Sequence, residues 1–169
     1  WTGLTMRPFV GRYLNIGRDG ERFVPAPSPD HAGQAPLVVW AFGGSTQFGW
    51  GVADAYSVTA LLQIALQERI PDRQVQVTNF AVPIYNSSQE LALFAANLRR
   101  MKPDIAVFMD GVNDVWYTMY ANTQTALVDP LAGVWENYTA SITSAVDTPW
   151  VSINPSFPPL RLAQQMGLD

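Results

Sequence analysis

Cysteine is missing from the 169 residues, and histidine occurs once, as His31. Neither a disulfide framework nor a thiolate metal site can be built, although the redox compartment stays open, because a lack of Cys is neutral on that point. Charge is sparse. Only 14% of residues are charged, the formal net charge is -4, and the basic residues are scattered from Arg7 to Arg161. That leaves no footprint for a phosphate backbone, so nucleic acid is excluded as the expected partner. No apolar run approaches the roughly 18 residues of a membrane-spanning helix. What is abundant is apolar surface: 48% of residues are hydrophobic, with 6 Trp, 6 Tyr and 8 Phe. The surface is therefore expected to be unusually apolar, or covered by a protein partner or by further sequence.

The length suits one domain, and is short for an α/β enzyme with a five-stranded sheet. The start at Trp1 reads as processed or cut, and Pro159 to Met166 as the opening turn of a helix with no strand after it, so truncation is expected at both ends. Residues 1–36, rich in Gly, Pro and Arg, read as an extended lead-in, with Pro25 to Pro29 as a loop and the ordered fold beginning after it. Leu37 to Phe42 is a continuous apolar run ending in Gly43-Gly44, which suits a strand buried on both faces. Ser57 to Ile70 places Val58, Leu61, Leu62, Ala65 and Leu66 at helical spacing, with Ser57 as cap and Pro71 just past the end.

Val75 to Ala81 reads as a second strand. Ser87 and Glu90 fit a capping box opening an amphipathic helix that runs to about Met101, and Ile105 to Met109 reads as a third strand. This alternation predicts right-handed crossovers and a parallel sheet with helices on both faces. Beyond Asp114 the pattern weakens, with a helix expected within Pro130 to Val146 and a Pro-rich loop from Asp147 to Pro159.

Reactive groups in such sheets gather at the carboxyl ends of the strands. After the first strand comes Gly43-Gly44-Ser45-Thr46, where a hydroxyl follows a tight turn and can be exposed as a nucleophile; turn chemistry alone is the competing explanation. After the third comes Asp110-Gly111-Val112-Asn113-Asp114, whose Asn113 amide is a neutral donor for an oxyanion or, equally, an Asx-turn closing the strand. A calcium-loop reading fails, because Val112 and Ala121 occupy the third and twelfth positions. No metal and no cofactor is expected.

Together the two clusters resemble the SGNH (GDSL-type) serine hydrolase family. Phe42 to Gly49 looks like its nucleophile block in the Gly-Gly-Ser variant, and Gly111-Val112-Asn113-Asp114 like its Gly-x-Asn-Asp block. Asn15 to Arg22, Asn-x-x-x-Asp-Gly-x-Arg, resembles a lead-in of many bacterial exported or membrane-anchored members, which implies an extracytoplasmic, periplasmic or membrane-anchored location. The resemblance implies a three-layer α/β/α flavodoxin-like sandwich, with residues 37–169 as the N-terminal portion of the domain, incomplete at its C-terminus. It also implies an esterase or O-acyl hydrolase acting on a small ester or an acylated glycan. Ser45 would attack the carbonyl, the Ser45 amide and Asn113 would hold the oxyanion, Gly111 would belong to the catalytic block, and Gly44, Thr46, Asn86 and Asp114 would line the substrate cleft.

Two departures stand out. Ile84 falls where the family's second block has its oxyanion glycine, a position whose positive φ costs a β-branched residue dearly. The C-terminal Asp-x-x-His block has no match, and His31, in a Pro-rich loop ahead of the first strand, reads as a surface residue, so the chain as written should hydrolyse esters slowly or not at all. The alternatives are a catalytically silent SGNH-like structural or binding subunit of a larger, membrane-associated complex, and a carbohydrate-binding surface protein that uses Trp116, Tyr117, Tyr120, Trp135, Tyr138 and Trp150. Packing is the plainer reading of those aromatics. Asn86 and Asn137 match glycosylation acceptors, and Arg99, Arg100 and Lys102 are explained by a helix C-terminus.

Overall fold

The computed structural model describes residues 4–25, 35–120 and 151–153. Its centre is a parallel sheet of three strands, β4 (Leu37–Gly43), β5 (Val75–Asn79) and β6 (Ile105–Met109). β4 lies in the middle, in the order β5-β4-β6. Leu37 pairs with Val75 on one side, and Val39 with Ile105 on the other. The three stretches expected to be strands thus form them. The second ends at Asn79, two residues early, although Phe80 and Val82 still donate backbone bonds to Ala41 and Gly43 of β4.

The strand pleat sorts the β4 side chains onto two faces. Val39 joins Val75 and Val77 in one cluster, against Leu66 and Ile70 at the end of helix α2 (Val58–Arg69). Trp40 and Phe42 join Phe80 in the other, against Leu93 and Phe94 of helix α3 (Ser87–Leu98). The fold is therefore α/β with helices on both faces of the sheet. Edge-to-face and stacked rings bind the second cluster, with Phe42 and Phe108 stacked at 5.0 Å.

Ser57 caps α2 as expected, accepting from the amide of Ala60 at 3.2 Å. The buried face of α2 differs from the expected one. Thr59, Ala60 and Gln63 are buried, whereas Val58 and Leu61 are exposed. The reason is polar: β5 has an open edge, and Gln63 and Gln67, four residues apart on the helix, accept from the amides of Val77 and Val75 at 2.7 and 2.9 Å.

At α3 the capping box is shifted by one residue from the expected Ser87 and Glu90. Asn86 accepts from the amide of Gln89 at 3.0 Å, and Gln89 accepts from the amide of Asn86 at 3.1 Å. Asn and Ser cap equally well, and each frame had a Glu or Gln at its fourth position, so packing decided between them.

The N-terminal stretch is woven into the domain rather than preceding it. Strands β2 (Phe9–Val10) and β3 (Asn15–Ile16) form an antiparallel pair, and Arg22 bridges both Ile16 and Asn79 at the edge of β5. A further strand, β1 (Leu4–Met6), pairs antiparallel with β7 (Val151–Ile153), inside the stretch expected to be loop. Helix α4 (Val112–Tyr120) follows β6. The helix expected within Pro130 to Val146, and residues 159–166, lie outside the described residues. Among the described residues no helix is long and apolar enough to cross a membrane.

Candidate active site

The chain runs from β4 to β5 on one side and then crosses back past β4 to β6 on the other, so the sheet order reverses between β4 and β6. A crevice opens at the carboxyl ends of two strands that part in this manner. Here it is a hollow of about 250 Å³, lined by Gly44, Ser45 and Thr46 from one strand tip and by Met109, Asp110, Val112 and Asn113 from the other. Ser45 is half-buried and opens the single-turn helix α1 (Ser45–Phe48).

Asn113 reaches across the gap. Its Nδ2 donates to the backbone carbonyl of Tyr85 at 2.6 Å, and a Cβ added to Gly44 would lie only 2.6 Å from that same nitrogen. Glycine before Ser45 is thus a condition of the amide lying on the nucleophile turn. A primary amide carries a pair of hydrogens, and the Tyr85 carbonyl takes one of them.

Other expected site residues are placed around this hollow and do not line it. Gly111 sits at the turn into α4 with φ +99°, and its carbonyl accepts from Val115 at 3.0 Å. Asp114 accepts from the amide of Ser87 at 3.1 Å and from the Ser87 hydroxyl, pinning α4 to the start of α3. Asn86 is buried, with its side chain committed to capping, which also removes it as a glycosylation acceptor in the folded chain. Ile84, next to the Tyr85 carbonyl that Asn113 grips, holds φ +66° and is the only non-glycine residue with positive φ among those described. It keeps the backbone conformation that a glycine would adopt freely, at a cost of about 1–2 kcal/mol.

The sequence reading missed Glu90. Freed from the expected capping role, it is 1% exposed, and neither carboxylate oxygen has a hydrogen-bond partner. Burial first, then the charges of Asp110 and Asp114, push its pKa from the ordinary 4.5 to about 8, so it is mostly a neutral acid at pH 7. The signal was there in the spacing: Glu90 precedes Leu93 and Phe94 by a helical turn, on the side of α3 that faces the sheet. Among the described residues no group of three His, Cys, Asp or Glu is gathered as a metal ion requires. His31 lies outside the described residues, as do Trp135, Tyr138 and Trp150.

Fold and site together define an α/β protein with a hollow at the strand switch point, bounded by a serine and an asparagine. Among solved structures, the chain is similar to AlinE4, described as an SGNH-hydrolase family esterase, with 23% identity and a TM-score of 0.47 over 64% of this chain and 56% of that one. It is similar also to TesA, with 24% identity and a TM-score of 0.45 over 61% and 54%. The chain thus spans little more than half the length of either. No family model matches the chain, and no curated protein matches it.

Proposed function

We propose that the hollow is the acyl-transfer site of an SGNH-type serine hydrolase, an esterase or O-acyl hydrolase acting on carboxylic esters. Ser45 attacks the ester carbonyl, and the oxyanion forms against the Ser45 amide and the second amide hydrogen of Asn113. Collapse of the oxyanion breaks the bond to the alcohol, which leaves with the proton that Ser45 gave up, and water then splits the acyl-serine ester to release the carboxylic acid and restore the hydroxyl. One observation carries the reading: the motif serine and the motif asparagine, 68 residues apart in sequence, wall the same 250 Å³ space. A small ester or an acylated glycan suits its size, and an extracytoplasmic, membrane-associated setting suits the lead-in motif.

No described residue supplies an imidazole, and a serine hydroxyl without a base attacks slowly. The experiment is therefore labelling of the whole chain with a fluorophosphonate probe, with and without added imidazole, followed by peptide mapping. Imidazole-stimulated modification at Ser45, lost in Ser45→Ala, is expected. Labelling elsewhere, or none at Ser45 under either condition, contradicts the reading. Ile84 favours the second reading, a catalytically silent SGNH-like binding subunit, because a branched side chain stands where the family keeps a glycine beside the acyl site. Absence of labelling in a folded chain is the outcome that selects it.

A further inference from the structure

Arg22 is as buried as the core residue Val39, 1% exposed, and its guanidinium faces the far end of the turn that Ser45 opens. α1 has one turn, too short to hold itself in water, so its shape depends on outside anchors. Its carbonyls can be followed one by one. That of Gly44 accepts from the Phe48 amide, that of Ser45 from the amides of Gly49 and Trp50, and that of Thr46 from Gly49, all at 2.9 to 3.0 Å. The Gln47 carbonyl accepts from Asn79 Nδ2 at 3.1 Å. Those of Phe48, Gly49 and Val52 accept from Arg22, at 2.6, 2.5 and 2.6 Å.

The guanidinium is itself fixed from behind. Its Nε donates to Asp54 Oδ1 at 2.9 Å, and the other oxygen of Asp54 accepts from Asn15 Nδ2 at 2.8 Å. The Phe48 ring lies beneath it, 5.1 Å from Cζ. Gly49 is required for this approach: its φ is +84°, and a Cβ there would meet Arg22 Nη1 at 2.6 Å. Between Asn15 and Arg22, Gly20 turns the chain back with φ +84°, so that Arg22 bridges Ile16 and enters the domain. Every fixed residue of the Asn-x-x-x-Asp-Gly-x-Arg motif except Asp19 thereby has a part in one device. Asp19 instead ion-pairs with Arg100 at the surface, at 2.6 Å.

We propose that Arg22, backed by Asp54 and Asn15, is a positioning residue for the nucleophile: it fixes the carbonyls at the end of the Ser45 turn, and through the Gly49 and Trp50 amides it fixes Ser45 itself. The lead-in is then part of the reactive site's construction. The proposal rests on the hydrolase reading for its chemical consequence, but its structural consequence stands apart. A planar five-donor group suits three carbonyls and a carboxylate, whereas a lysine ammonium cannot span them.

The test uses the whole chain as wild type, Arg22→Lys and Arg22→Met, with hydrogen exchange read peptide by peptide and fluorophosphonate labelling read as kinact and KI in the presence of imidazole. In Arg22→Lys, faster exchange confined to residues 44–53, with the strand peptides 37–43, 75–79 and 105–109 unchanged, is expected, together with a kinact at least tenfold lower and an unchanged KI. Arg22→Met should extend both effects. Wild-type exchange at 44–53 in Arg22→Lys, or wild-type kinact despite a loosened turn, overturns the proposal. So does uniform loss of protection in both variants, which would make Arg22 a general folding residue. Failure of the wild type to label at all strikes instead at the hydrolase reading, and leaves the exchange result to decide on the clamp.

Discussion

Arg22 and Glu90 are both 1% exposed, yet they live in opposite circumstances. Around Arg22 the chain supplies a carboxylate and three carbonyls, all within hydrogen-bond distance. Around Glu90 it supplies no hydrogen-bond partner, and the charges that act on it, those of Asp110 and Asp114, are of the same sign. Burial forces a choice on an ionisable side chain: keep the charge and be solvated by protein, or give it up. Arg22 takes the first course and becomes a rigid clamp. Glu90 takes the second and leaves a neutral acid beside the carboxylates that flank the hollow.

Breaking the satisfied side of this pair should cost most. Arg22→Met strands the buried Asp54 with only Asn15 at its side chain, and urea unfolding should show a loss of about 3–5 kcal/mol. The unsatisfied side should respond to pH instead. Folded Glu90 keeps its proton up to about 8, while the unfolded chain releases it near 4.5. Between those values the folded state binds the extra proton, so stability falls as pH rises, by about 1.4 kcal/mol per unit at most, and levels off above the folded value. Glu90→Gln removes that slope. Its advantage over wild type should therefore widen from pH 5 to pH 8, and a gap that stays constant across this range would show that Glu90 ionises in place.

Smaller effects sharpen the contrast by separating buried charge from backbone strain and capping. Ile84→Gly relieves the φ of +66° and should raise stability by about 1 kcal/mol in the same unfolding assay, net of lost side-chain burial. Asn86→Ala removes the capping box of α3 and should lower stability by about 1 kcal/mol, with faster exchange at the first turn of that helix.

The sheet was legible in the sequence because two of its strands are short apolar runs and the third is a β-branched alternation, signals written locally. Leu37 to Phe42 and Ile105 to Met109 gave strands where they were expected, and the motif residues Ser45 and Asn113 followed from the rule that strand tips carry chemistry. What stayed hidden depended on distant partners. Arg22 was legible as the last residue of the lead-in motif but not as a buried clamp, since its burial is decided by Asp54, 32 residues on. Glu90 looked like half of a capping box until Asn86 and Gln89 took that role. The polar face of α2 could be foreseen only by knowing that β5 would have an edge for Gln63 and Gln67 to satisfy.

The shared hollow is tested most directly by the rate of Ser45 phosphonylation in Asn113→Ala, in imidazole, beside the wild type. If the Asn113 amide holds the charge that develops on the attacked centre, the rate should fall by about 100-fold or more while the fold is retained. A rate equal to that of the wild type would mean that the serine and the asparagine line the same space without acting on the same atom.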